Sequence, residues 1–374
     1  MNHFFPEIKK NFGFGCMRLP EIDTSDKKIV DTETFSKMVD AFISAGFNYF
    51  DTARPYHGGE SEKALKISLT SRYKREDYIL ANKLSDGYWT CEEDLDPYFE
   101  SQLEACGVEY FDFYLMHCQN TFLYEKYKKN KCYEHGLKYK AQGKVKHFGI
   151  SFHDNAELLD KILTENPEIE FVQIQFNYFD YKDPVIQAEK CYNVCVKHKK
   201  PVIVMEPVRG GLLATFPENS PKFDENFSPA SYAIRFAASH KNVIMTLSGM
   251  SNMDQALDNI SYMKDFKPLS EEEFDNLLKV AEVYRKQNFI ACTSCKYCIK
   301  CPKKIPIFDI FACYNSKKLL GGWNSDFYYN CVITGKDNKA SACIKCGACE
   351  KACPQHLPIR KLLEDVVDVF EKKD

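Results

Sequence analysis

Eight short apolar runs, rich in β-branched and aromatic residues, recur along residues 1–250 of this 374-residue chain, and nothing else in it narrows the possible folds as much. They are NFGFGCM (11–17), FNYFD (47–51), YILANK (78–83), FDFYLMH (111–117), HFGIS (147–151), FVQIQFN (171–177), PVIVMEP (201–207) and VIMTLSG (243–249). Between them lie stretches with apolar residues at three-and-four spacing, such as TFSKMVDAFISAG (34–46) and EDLDPYFESQLEACG (93–107). SNMDQALDNISYM (251–263) follows the eighth run in the same helical pattern. Near-continuous apolar strands alternating with helices imply a parallel sheet covered by helices. Eight such units in about 250 residues match a (β/α)8 TIM barrel in count and size. A doubly wound open sheet is the competing α/β architecture. No GxGxxG follows the first run, which counts against it.

After residue 265 the alternation stops. PLSEEEFDNLLKVAEVYRKQ (268–287) reads as one amphipathic helix with Ser270 as N-cap and Glu273 at the capping-box position. It leads into CTSCKYCIKCP (292–302), and a second set follows in CIKCGACEKACP (343–354). A helix, LPIRKLLEDVVDVF (357–370), comes after the second set. The chain therefore divides into a barrel unit, 1–267, and a small helical unit, 268–374, that begins with the connecting helix 268–287.

Three cysteines at two-residue spacing wrap a loop around one iron–sulfur cubane. A fourth, followed by proline, ligates the other cluster in two-cluster ferredoxins. The assignment is thus crossed. Cys292, Cys295 and Cys298 with Cys353 hold one [4Fe–4S] cluster; Cys343, Cys346 and Cys349 with Cys301 hold the other. Structural zinc is the weaker alternative, because zinc sites use well-separated cysteine pairs. A disulfide framework is weaker still, belonging to short secreted chains. The remaining nine of seventeen cysteines share no metal-ligand spacing. Free thiols and clusters together point to a low-oxygen habitat.

Net charge is −3, so no nucleic-acid surface is expected. MNHFFPEIKKNF lacks the apolar run of a signal peptide, and no stretch approaches a membrane span. A cytoplasmic protein is the expectation.

In TIM barrels chemistry sits at the C-terminal ends of the strands. Those ends carry Asp51, Lys83, His117, Ser151, Gln173 to Asn177, Glu206 and Ser248–Gly249. Ionisable groups ending three successive apolar strands are hard to explain by packing. Singly, Asp51–Lys83 reads as a structural ion pair and His117 as a satisfied core histidine. With Tyr56 they form a coherent acid site. A lysine ammonium beside a phenol favours phenolate and lowers its pKa, and a carboxylate holds the lysine. Such a phenol gives a proton to a carbonyl oxygen as hydride reaches the carbon, with His117 orienting that oxygen.

DTARPYHGGESE (51–62), ANKL (81–84), YLMH (114–117), GISFHD (149–154), VQIQFNY (172–178) and SGMSNMDQALDNI (248–260) resemble the aldo-keto reductases. GFGCMRLP (13–20) and ACPQHLPI (352–359) resemble the bacterial and archaeal branch with a C-terminal 4Fe-4S domain. The resemblance implies a (β/α)8 barrel, a small carbonyl or alcohol substrate, and NADPH or NADH bound extended across its top. It implies Asp51, Tyr56, Lys83 and His117 as the catalytic tetrad, and Ser151 and Gln173 as holders of the nicotinamide carboxamide. Met205 falls where an aromatic residue usually stacks on the nicotinamide. Gly249 and Gln255 fall where basic residues usually clamp the 2′-phosphate, and Asn259 stays at the adenine end. NADH is therefore as plausible as NADPH, with Arg209 or Lys63 as substitute phosphate contacts. A ferredoxin or another redox protein is the further partner that the cysteine domain implies. An electron-transfer protein, or a redox or oxygen sensor whose barrel docks a partner, is the alternative reading.

Overall fold

The computed structural model describes residues 4–24, 28–184, 186–286, 290, 292, 297–353 and 357–372. Eight parallel strands close into a barrel: β1 Phe12–Gly15, β2 Tyr49–Asp51, β3 Ile79–Leu84, β4 Phe111–Gln119, β5 Val145–Phe152, β6 Phe171–Gln175, β7 Val202–Met205 and β8 Val243–Gly249. Each pairs with its sequence neighbours, and β8 returns to β1 through Phe14↔Ser248 and Gly15↔Gly249. All eight apolar runs are strands, and closure excludes the open sheet. An antiparallel ribbon, Glu21–Asp23 with Lys28–Val30, lies outside the barrel.

Alternation along each strand sorts the residues to two faces. Tyr49, Ile79, Ala81, Phe113, Leu115, Phe171, Ile203, Met245 and Leu247 form the inner core with Phe5 and Ile8. Phe50, Leu80, Tyr114, Met116, Val172, Val202 and Val204 join the outer core under the helices. The parity continues past the inner core: Asp51 is two residues beyond Tyr49, Lys83 beyond Ala81, His117 beyond Leu115, Gln173 beyond Phe171, Met205 beyond Ile203 and Gly249 beyond Leu247. The same backbone periodicity that fills the barrel with apolar side chains thus brings these six positions to its C-terminal mouth.

Helices cover the outside. Asp31 caps Thr32–Ser44 by accepting from the Glu33 and Thr34 N–H groups, and Asn252 caps Met253–Met263. Glu271–Arg285 begins with the capping box of Ser270 and Glu273. Its Leu277, Val280, Ala281 and Tyr284 are buried in the barrel's outer core.

The C-terminal unit has its own core, built on Ile305, Ile307, Ile310, Phe311, Tyr328, Tyr329, Leu363 and Val366. Its helices are Ile307–Leu320, Trp323–Phe327, Ala348–Ala352 and Ile359–Phe370. Partly buried Ile186 packs against both this core and the barrel's outer core. A buried polar bridge also joins the units. Arg209 Nε donates to Asp180 at 3.1 and 3.2 Å, while its Nη2 donates to Ser316. Gln175 and Asn177 hold the same carboxylate at 2.6 and 2.7 Å. Among the described residues no helix is long and apolar enough to cross a membrane.

Candidate active site

At the mouth, Lys83 Nζ lies 2.6 Å from Asp51 Oδ1 and 2.8 Å from the Thr52 carbonyl. Both charged residues are buried, Lys83 at 0% and Asp51 at 3% exposure, so the pair is compensated internally rather than by water. Gln173 Nε2 donates to the other Asp51 oxygen at 3.2 Å. The Tyr56 ring lies with its centroid 4.9 Å from Lys83 Nζ and 6.2 Å from the His117 ring, edge to face. Tyr56 opens the 3-10 turn Tyr56–Gly59, in which His57 has φ 51°. His57 Nε2 accepts the Leu19 N–H at 3.0 Å, which ties this turn to the loop after β1. The structure therefore brings Asp51, Tyr56, Lys83 and His117 together.

The electrostatics differ from expectation at Tyr56. Burial, reinforced by the Asp51 and Glu206 carboxylates, pushes its phenol well above the ordinary tyrosine range. Desolvation by burial is the largest cause and outweighs the nearby Lys83 ammonium. Burial also pushes the Lys83 ammonium down, against the pull of Asp51. His117 is held well below the usual histidine range by burial, then by Lys83 and His153. A neutral imidazole and a protonated phenol follow. Ser85 Oγ lies 2.7 Å from His117 Nδ1. If the hydroxyl donates there, Nε2 carries the ring proton.

A cavity of about 310 Å³ opens over these groups, lined by Asp51, Tyr56, His117, Gln173, Met205 and Gly249 among others. A second, of about 180 Å³, is lined by Gln255, Asn259, Ser248 and Gly249. Arg18, Glu206, Leu247 and Gly249 border both, so the two form one trench from Tyr56 to Asn259. Asn259 donates to Ser248 Oγ at 3.0 Å and accepts from Tyr262 at 2.5 Å. Gln255 accepts the Ser251 N–H at 2.7 Å. Ser151 pairs with Gln173 across β5 and β6, but its Oγ accepts the Cys118 N–H at 2.8 Å. Lys63 pairs with Glu60 on the surface and Arg209 is locked to Asp180, so neither candidate cation faces the trench.

Sequence reasoning assigned no role to five trench residues. Arg18, Trp323, Asn324 and Phe327 line it, the last three from the C-terminal unit. His153 lines it too, with Nδ1 buried and unpartnered among the described residues, and burial pushes its pKa down to about 4. These come from segments distant in sequence; GFGCMRLP holds Arg18 and GISFHD holds His153, but neither pattern marks them as facing the trench.

In the C-terminal unit, Cys301, Cys343, Cys346 and Cys349 line one small cavity of about 20 Å³ with Ile305, Ile307, Leu363 and Arg360. Four thiol ligands, an apolar shell and a nearby cation suit an anionic iron–sulfur cluster. The turn Tyr297–Lys300 lies against the helix Ala348–Ala352, which juxtaposes the two cysteine motifs. Cys292, Cys298 and Cys353 border the same small core, and Cys295 lies outside the described residues.

Comparison with known proteins agrees with this architecture. The family model for the aldo/keto reductase family matches residues 11–227 and 222–282, and that for a 4Fe-4S dicluster domain matches 291–358. Norsolorinic acid reductase B of Dothistroma septosporum is 36% identical over 80 residues, 21% of this chain and 20% of its own length. The uncharacterized oxidoreductase YqkF of Bacillus subtilis is 24% identical over 313 residues, 74% of this chain and 92% of its own. The chain thus spans about a fifth of the first of these relatives and nearly all of the second. An aldo-keto reductase from Bacillus halodurans in its holo form superposes with TM-score 0.58 at 23% identity, covering 72% of this chain and 91% of its own. One from Klebsiella pneumoniae, in complex with NADPH, superposes with TM-score 0.58 at 17% identity, covering 72% and 90%. With an eight-stranded barrel matched along most of its length and a cysteine-rich unit matched after it, this chain belongs to the aldo/keto reductase family and carries a C-terminal 4Fe-4S dicluster domain.

Proposed function

We propose that this protein is a cytoplasmic oxidoreductase that reduces a small aldehyde or ketone, or oxidises the corresponding alcohol, with a nicotinamide cofactor. The observation that carries the reading is the convergence of Asp51, Lys83, Tyr56 and His117 at one end of the trench. The cofactor, when bound, supplies hydride to the carbonyl carbon. Tyr56 gives the phenolic proton to the carbonyl oxygen, and its raised pKa keeps that proton in place until negative charge develops on the oxygen. His117 donates from Nε2 to the same oxygen and orients it. Lys83, fixed by Asp51, offers positive charge beside the phenol as it loses its proton. Ser151 and Gln173 hold the carboxamide and Met205 lies beneath the ring. Gly249, Gln255 and Asn259 line the adenine end, where Asp258 also stands. An acidic residue there disfavours a 2′-phosphate, so NADH is served at least as well as NADPH.

The barrel unit, 1–267, carries this chemistry. The unit 268–374 holds two [4Fe–4S] clusters in the crossed arrangement, which the shared cavity of Cys301 with Cys343, Cys346 and Cys349 supports. A ferredoxin-type redox protein is the partner for those clusters. Electron transfer as the main role is the second reading. It rests on adjoining rings between trench and C-terminal unit: His153–Phe327 at 5.8 Å, His153–Tyr328 at 6.2 Å and Trp323–Phe327 at 5.9 Å.

The test is Tyr56→Phe in anaerobically purified protein, after a screen of aldehydes and ketones against NADH, NADPH and reduced ferredoxin. Carbonyl reduction falls by about 10²–10⁴-fold while nicotinamide binding barely changes. A near-normal rate with clusters intact would favour the electron-transfer reading.

A further inference from the structure

We propose that Arg18 is the cation that binds the cofactor's pyrophosphate, and that the C-terminal unit holds it in position through Trp323. The inference rests on the nicotinamide reading above. Among the described residues lining the two cavities, Arg18 is the one arginine or lysine, and it borders both. It therefore stands midway along the trench, where an extended dinucleotide has its two bridging phosphates.

The surroundings are cut to fit this side chain. Arg18 ends the 3-10 turn Cys16–Arg18 after β1, and its carbonyl accepts from Ser251 Oγ at 2.9 Å. A Cβ at Gly249 would meet the Arg18 stem at 3.2 and 3.3 Å. A side chain at 249 and the present Arg18 thus compete for the same space. That accounts for glycine at 249: any side chain there would crowd the Arg18 stem. On the other side, a Cβ at Gly210 would meet Arg18 Nη2 at 3.1 Å and Trp323 Nε1 at 3.4 Å. Gly210 has φ 68°, a conformation that favours glycine. Two glycines, one ending β8 and one in the turn after β7, therefore leave one slot for a guanidinium and an indole.

Trp323 closes the slot. Its ring centroid lies 5.1 Å from the Arg18 guanidinium carbon, a cation–π contact across the boundary between the units. The only protein anion on the guanidinium among the described residues is Glu206, through a single 3.5 Å contact, so donors remain for a ligand. Two further polar atoms there are buried without partners among the described residues: Trp323 Nε1, a donor, and Glu206 Oε2, an acceptor. A phosphate flanked by ribose satisfies all of them. Its oxygens accept from Arg18 and from the indole N–H, and a ribose hydroxyl donates to Glu206. An apolar ligand would leave both orphans unsatisfied.

The experiment uses full-length, cluster-loaded protein under anaerobic conditions, with NAD⁺ and NADP⁺ binding measured by calorimetry. Arg18→Met weakens both by roughly ten- to a hundredfold, with their ratio unchanged, because both carry the pyrophosphate. Trp323→Phe, which keeps a ring and removes the N–H, weakens both by about three- to tenfold. The double variant loses less than the product of the two, because the groups share one ligand and touch each other. Gly249→Ala, which pushes on the Arg18 stem, weakens both cofactors through a different substitution. The visible absorbance of the clusters and far-ultraviolet circular dichroism check that each variant is folded. Unchanged affinities in Arg18→Met, or loss for NADP⁺ alone, overturn the assignment to the pyrophosphate. Losses that multiply in the double variant overturn the role of Trp323. Wild-type protein that binds neither cofactor removes the nicotinamide reading itself, and this inference with it.

Discussion

Removing Lys83 alone should cost far more than removing it together with Asp51. In Lys83→Met the Asp51 carboxylate stays in a site 3% exposed, with Gln173 at 3.2 Å as its remaining polar side-chain partner. Breaking one side of a buried pair typically costs about 3–5 kcal/mol, because the surviving charge is uncompensated. The Thr52 carbonyl also loses its 2.8 Å donor, worth about another 1 kcal/mol. Asp51→Asn with Lys83→Met removes both charges, so most of the loss returns and the coupling energy exceeds about 2 kcal/mol. The assay is anaerobic urea unfolding followed by far-ultraviolet circular dichroism. A Lys83→Met loss under about 1 kcal/mol, or strictly additive single losses, would refute the buried-pair argument.

Four further outcomes follow. Anaerobically purified protein should contain about eight irons. Cys301→Ser should damage the same cluster as Cys343→Ser, since both line one cavity, and electron paramagnetic resonance showing it grouped with Cys292→Ser instead would break the crossed assignment. His153, lowered from 6.5 to about 4 by burial, contributes roughly 3 kcal/mol of stability that is present above the unfolded pKa and lost as pH falls toward 4. Thermal unfolding of His153→Gln should therefore depend less on pH than wild type between pH 7 and pH 4.5, and identical slopes would contradict this. Gly136→Ala would place a Cβ 2.2 Å from the Phe148 ring, so the helix Cys132–Ala141 must shift from β5. A loss of about 1–3 kcal/mol is expected by chemical denaturation.

The barrel was legible because strand and helix periods differ and each of the eight runs is apolar on both faces. The capping box of Ser270 and Glu273 was legible because its chemistry is local. Asp51, Lys83 and His117 stood out as ionisable ends of apolar strands, a local contrast that survives in one dimension. Arg18 and Trp323 did not stand out. They are 305 positions apart, and what joins them is a slot opened by Gly249 and Gly210, which no periodicity records. The direction of the Tyr56 pKa shift was not legible for a related reason: it depends on how much water the whole mouth excludes.

The Arg209 bridge limits how separable the two units are. On the barrel side a buried guanidinium and a buried carboxylate face the boundary, held in register by Gln175 and Asn177; on the other side Ser316 completes them, and Ser325 supports Ser316 at 3.0 Å. A barrel cut free after residue 286 would turn this pair toward solvent at one edge and lose the wall formed by Trp323, Asn324 and Phe327. The cysteine unit is thus no detachable appendage. Exchanging it would also exchange three of the residues that wall the trench.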